Sequence, residues 1–170
     1  MAAGEFPLFM NVLYLKSKDS FMNITQIEKC LENLTVDTPA KFGIMTPHHM
    51  VEHLTITVKI SYNRIKIPEF ELNEKQHLQK KALLDTPLEF PKGILAPGMN
   101  AGELMPLRSA DLAEAKKQLM ASVLAYHEFF AADPHAKSVH PRFGKLTYAE
   151  WERFHPKHFK HHFEQFRIWQ

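Results

Sequence analysis

The sequence predicts an all-α fold, a four-helix bundle in a single domain spanning residues 1–170. Three observations lead there. Four segments carry apolar residues three and four apart, the spacing of one helical face. No pair of segments alternates apolar and polar residues as facing strands do. The chain has 170 residues, 45% of them hydrophobic and 24% charged, which suits one core and no obvious linker.

The first helix reads from about Asn23 to Leu34 through Ile24, Ile27, Cys30, Leu31 and Leu34. Phe6 to Leu15, before it, is apolar but contains Pro7 and is too short to classify. The second helix opens at Thr46-Pro47, a favoured N-cap followed by proline at the first helical position. It runs through His49, Met50, His53, Ile56, Thr57 and Ile60 to about Tyr62. Lys66 to Arg108 is rich in proline and glycine and reads as a long irregular connection, with one short helix from Asn73 to Leu84. Connections of that length in a compact domain often serve function, and this one is a candidate lid or specificity loop. The third helix opens at Ser109, with Asp111 in its first turn, and stops before Asp133-Pro134. The fourth begins with the capping box Thr147-Tyr148-Ala149-Glu150 and reaches about Trp169. Pro156 inside it predicts a kink, or an unbonded carbonyl near Glu152.

Charge and composition exclude several functions. Lys and Arg exceed Asp and Glu by 21 − 19 = +2, which gives no field for nucleic acid or an anionic membrane. Apolar runs fall well short of the roughly 20 residues of a membrane span. Met1-Ala2-Ala3-Gly4-Glu5-Phe6-Pro7 lacks the basic and apolar regions of a signal peptide. The lone Cys30 cannot form an intrachain disulfide and fits a reducing compartment. A cytoplasmic location is the expectation, with a small molecule as the partner and a homodimer left open.

Histidine is the residue out of proportion. There are 11 in the chain; residues 155–162 hold His155, His158, His161 and His162, and His48, His49 and His53 lie within six positions. Projected from His158 at 100° per residue, His162 falls at about +40°, Gln165 at about −20°, Trp151 and Trp169 at about +20°, and Phe154 at about −40°. One stripe of the fourth helix therefore joins two histidines and a glutamine to large apolar groups, with His161 and His155 at its margins. Histidines at i and i+4 can place two imidazoles on one metal. His53, on the apolar face of the second helix, is the natural third ligand; His49, one turn earlier, is its rival, and His48 points away. Burying several imidazoles is costly unless each finds a partner, and a shared metal supplies one. Gln165, one turn from His161 and His162, can orient a water or the second nitrogen of a ligand imidazole. His127, Glu128, His140, His77 and His135 read as packed or solvated groups, Glu52 as no ligand, and Cys30 and Tyr126 as core.

The run His158-Phe159-Lys160-His161-His162-Phe163-Glu164-Gln165, with Met45-Thr46-Pro47-His48-His49-Met50-Val51-Glu52-His53 upstream, resembles the DinB-like superfamily of metal-dependent enzymes. It looks most like an uncharacterised branch, a domain of unknown function, in which a His-Pro-x-Phe-Gly-Lys-Leu-Thr segment precedes the last helix. Here that segment is His140 to Thr147, followed by Trp151. The resemblance covers about Lys41–Tyr62 and Val139–Phe166. It implies an up-down-down-up bundle and a histidine triad of His53, His158 and His162 on a divalent metal, nickel or zinc. His49 and His161 beside them leave the ligand set open by one turn. Relatives implied by the resemblance include thiol-dependent transferases and isomerases, and transfer of a low-molecular-weight thiol needs no carboxylate base; hydrolysis by a metal-bound water is the other reading of such a site. A non-catalytic metal- or ligand-binding bundle, acting as sensor or structural clip, is the alternative. Because imidazole binds metal only when deprotonated, affinity is expected to fall from pH 6.5 downward.

Overall fold

The computed structural model describes residues 23–93, 100 and 102–170. The apolar segment Phe6–Leu15 lies outside them, as does part of the expected lid.

The described residues form five helices and a hairpin: α1 (Ile24–Glu32), α2 (Pro47–Ser61), α3 (Glu74–Asp85), α4 (Leu112–Ala132), β1 (Lys137–His140), β2 (Gly144–Thr147) and α5 (Tyr148–Gln165). The four-helix bundle expected from the sequence is therefore incorrect. α2 and α4 make the most extensive helix pair, but α5 packs on α3 and β2 as well as on α2, and the end of α2 lies against β1. The short helix expected from Asn73 to Leu84 within the long connection between α2 and α4 is present as α3.

Local signals set the helix starts. Asn23, Thr46, Asn73, Asp111 and Thr147 are the N-caps, and each side chain accepts the backbone N–H of the third residue of its helix. α4 thus begins at Leu112, after Ser109. Thr147 and Glu150 complete the expected capping box. Pro156 does not interrupt α5, which runs through it to Gln165. The helix ends there, short of Trp169, in a Schellman turn. Arg167 takes φ +57°, its N–H donates to Glu164 O, and the Ile168 N–H donates to Phe163 O at 2.9 Å.

The hairpin is a second departure from the sequence reading. β1 and β2 pair antiparallel, with His140 opposite Gly144. Pro141-Arg142-Phe143 forms a three-residue loop, and Gly144 takes the left-handed φ of +64° that such loops require of the residue closing them. β1 escapes the alternation rule because three of its four residues, Ser138, Val139 and His140, are buried. The Ser138 hydroxyl donates to the Ser61 carbonyl and accepts from the Trp151 indole, each at 2.8 Å. The hairpin thereby joins the end of α2 to the first turns of α5.

One apolar cluster unites the elements, with Met50, Val51, Leu54, Leu119, Val123, Tyr126, Trp151 and Phe163 wholly enclosed. No described helix is long and apolar enough to cross a membrane.

A candidate metal centre

α2 buries Met50, Val51, Leu54 and Val58, and His53 flanks that face, half-buried. α5 buries Phe154, His158, His162 and Gln165 on its facing side. Where the helices meet, His53 Nε2 and His158 Nε2 stand 3.0 Å apart. With His162 they form a group whose ligand nitrogens all lie within 4.8 Å of one another. The ring centroids are 4.8–5.0 Å apart, edge to face. Nitrogens bound tetrahedrally to one ion at about 2.0–2.1 Å are about 3.3 Å from each other. The spacing of His53 and His158 is close to that.

Electrostatics suit the same reading. Burial, then the neighbouring His161, lowers His53 to about 4. Burial, then His53, lowers His162 to about 3, with the Gln165 hydrogen bond opposing. Burial, then His162 and His53, pushes His158 well below the ordinary histidine value. All three imidazoles are thus neutral at pH 7 and offer lone pairs. A hydrogen bond between two Nε2 atoms uses one lone pair and one proton, whereas a shared cation satisfies every inward lone pair at once. Burial that holds the folded imidazoles deprotonated also moves the onset of proton competition for a metal to lower pH than for free imidazole.

Neighbours fix the orientation of His162. Its Nδ1–H donates to Gln165 Oε1 at 2.9 Å, and Gln165 Nε2 donates to the Phe42 carbonyl at 2.8 Å. His162 therefore keeps its proton on Nδ1 and turns Nε2 inward. His158 Nδ1, by contrast, is buried with no hydrogen-bond partner. Aromatic rings wall the site. Phe154 and Phe90 pack on His158 at 5.3 and 5.5 Å, and Phe90 and Phe42 pack on His161 at 5.8 and 5.3 Å. Lys92 lies over Phe42.

The remaining sequence candidates fall outside the trio. His49 Nδ1 engages the Thr46 hydroxyl at 2.6 Å, so the N-cap occupies it. His161 is half-buried at the rim and hydrogen-bonds the Phe90 backbone. His48 turns away to Ser109 and Glu52. Glu52 is no ligand: its carboxylate accepts the Arg108 and Ser109 N–H groups. No carboxylate joins the group among the described residues. His140 packs in the hairpin, where its Nδ1 accepts the Arg142 and Phe143 N–H groups. Sequence reasoning missed Phe42, Gly43 and Phe90, whose loops carry only turn signals.

Residues 93–168 match the model of a family described as "Protein of unknown function (DUF1569)". That is less than half of the chain. The match carries α4, the hairpin and α5, hence His158, His162 and Gln165, and omits His53. No curated protein matches the chain, and no solved structure does. These comparisons add no support to the DinB-like resemblance.

Proposed function

We propose that His53, His158 and His162 hold a divalent ion, nickel or zinc, and that the chain is a metal-dependent enzyme acting on a small molecule. The observation that carries this is the trio itself: three neutral imidazoles from two helices converge, and among the described residues no carboxylate joins them. Three protein ligands leave a coordination position for substrate, the pattern of catalytic rather than structural sites. A bound ion there supplies Lewis acidity for an anionic oxygen or sulfur. The missing carboxylate favours transfer of a low-molecular-weight thiol over hydrolysis, because a thiol needs no strong base near pH 7. The DinB-like resemblance points the same way. Phe42 and Phe90 exclude water on one side, and Gln165 orients His162.

Metal content after exhaustive dialysis tests the proposal. One ion per chain is expected. His158→Ala should lower affinity by more than about a hundredfold, since outer-sphere partners alone are worth 10–100-fold, with the helical circular dichroism kept. A metal-free wild type that binds no added zinc, nickel or cobalt would overturn it. Stoichiometric metal without turnover of thiol conjugates or activated esters would leave the non-catalytic module.

A further inference from the structure

Gln165 is the last residue of α5 and lies 4% exposed. The 41–46 loop grips it from two directions. The Lys41 N–H donates to its backbone carbonyl at 2.7 Å, and the Phe42 carbonyl accepts its side-chain N–H at 2.8 Å. Gly43 stands directly over the amide. Its φ is +75°, and a Cβ built on it would lie 2.9 Å from Gln165 Nε2, closer than a methyl group and an amide nitrogen can approach. The amide cannot yield easily, because its oxygen holds the His162 Nδ1 proton.

We infer that Gly43 is a positioning residue of the metal centre. Its missing side chain lets the Gln165 amide bridge the Phe42 carbonyl and His162, which fixes His162 as the Nδ1–H tautomer with Nε2 turned toward His53 and His158. This rests on the metal reading above for its functional meaning, but the tautomer lock is a property of the metal-free chain. An added methyl group at Gly43 displaces the amide. His162 then loses its acceptor, and the proton is free to move to the nitrogen the metal needs. Partners of this kind contribute about 10–100-fold to metal affinity.

Three variants separate the lock from ordinary loop strain. Gly43→Ala adds both the Cβ clash and left-handed strain. Gly102→Ala adds the strain alone, since Gly102 has φ +83° and nothing within 4 Å of its Cβ position. Gln165→Met removes the amide with no change of backbone and keeps the test open should Gly43→Ala fold poorly. Cobalt titration followed by absorption reads affinity and ligand geometry. Imidazole nitrogen shifts of the metal-free proteins read the His162 tautomer.

The expected result is a 10–100-fold loss of cobalt affinity in Gly43→Ala and Gln165→Met, an altered cobalt spectrum, mixed His162 tautomers, and wild-type behaviour in Gly102→Ala. The double variant Gly43→Ala/Gln165→Met should be no worse than either single, because both act through one amide. The inference is overturned by Gln165→Met keeping the Nδ1–H tautomer and affinity within twofold of wild type, or by losses that multiply in the double variant. A wild type that takes no cobalt defeats the metal reading instead. The tautomer comparison then still decides whether Gly43 and Gln165 set the ring.

Discussion

His155 is the least satisfied side chain among the described residues. It is 0% exposed, and neither ring nitrogen has a hydrogen-bond partner. Its ring stacks on Trp151 at 5.1 Å and meets Tyr126 edge to face at 5.2 Å. A buried polar group left unpaired costs about 1–3 kcal/mol, while the ring's aromatic contacts are those a phenyl would also make. His155→Phe should therefore raise stability by about 1–2 kcal/mol, measured by urea denaturation at pH 7.5; a loss would mean that the imidazole has a polar role. The projection that finds the metal trio cannot separate His155 from His162, since both fall near the same stripe and differ only in what neighbouring helices bring to them. His53 was legible because its own helix buries the face beside it. The rivalry with His49 was not, because it depended on the Thr46 hydroxyl taking the His49 ring. Gln165 was legible as a partner of an imidazole, and Gly43 was not, because its role lies in a contact across 122 residues of chain.

Most helix starts were legible because each depends on a cap within three residues, and α5 follows its capping box as read; α4 was read from Ser109, whereas Asp111 is its cap. Its end was not, because the Schellman turn uses Arg167 where glycine is usual. The hairpin escaped for a related reason: with both neighbours of Val139 buried, β1 has no alternation to detect. α3 is the least self-sufficient element. It buries only Leu83 and Leu84, and polar ties to α5 hold it. The Lys157 ammonium donates to the carbonyls of Leu83 and Thr86 at 2.6 Å and of Leu88 at 2.8 Å, and Lys80 pairs with Glu150 at 2.8 Å. Lys157→Met keeps the aliphatic stem but leaves three carbonyls without that donor. With two of these bonds exposed to water, it should cost about 1 kcal/mol and speed amide exchange in α3 before α2 and α4. Phe90, which walls the trio, follows on the same stretch, so cobalt affinity should fall slightly as well. Exchange accelerating equally in all helices would show instead that α3 unfolds only with the whole chain.

Across the whole molecule, buried neutral histidines tie folding to pH, and an ion held by the trio would tie folding to metal. Burial lowers His140 to about 3, helped by Arg142, and lowers His155 to about 3, helped by His140. Unfolded, each titrates near 6.5. Between about pH 6.5 and 3 the unfolded chain binds protons that the folded chain refuses. Stability is therefore complete above pH 6.5 and is lost as pH falls, by up to about 1.4 kcal/mol per pH unit for each such histidine. His53 and His162 add to the loss in the metal-free protein, in the same direction. An ion bound by the trio would oppose it, contributing about 2.7 kcal/mol at a hundredfold excess over its dissociation constant. Metal-free protein should thus lose thermal stability steeply below pH 6, and saturating zinc should raise the melting temperature at every pH where the fold persists. The affinity of the folded form should meanwhile stay nearly constant from pH 7.5 to about 5, because its imidazoles are already deprotonated there. Calorimetric titration alongside thermal melts at pH 7.5, 6.5 and 5.5 distinguishes the two effects. An affinity that drops tenfold or more between pH 6.5 and 5.5, with the fold intact, would mean that the trio titrates like free imidazole and that the aromatic wall around it is open to water.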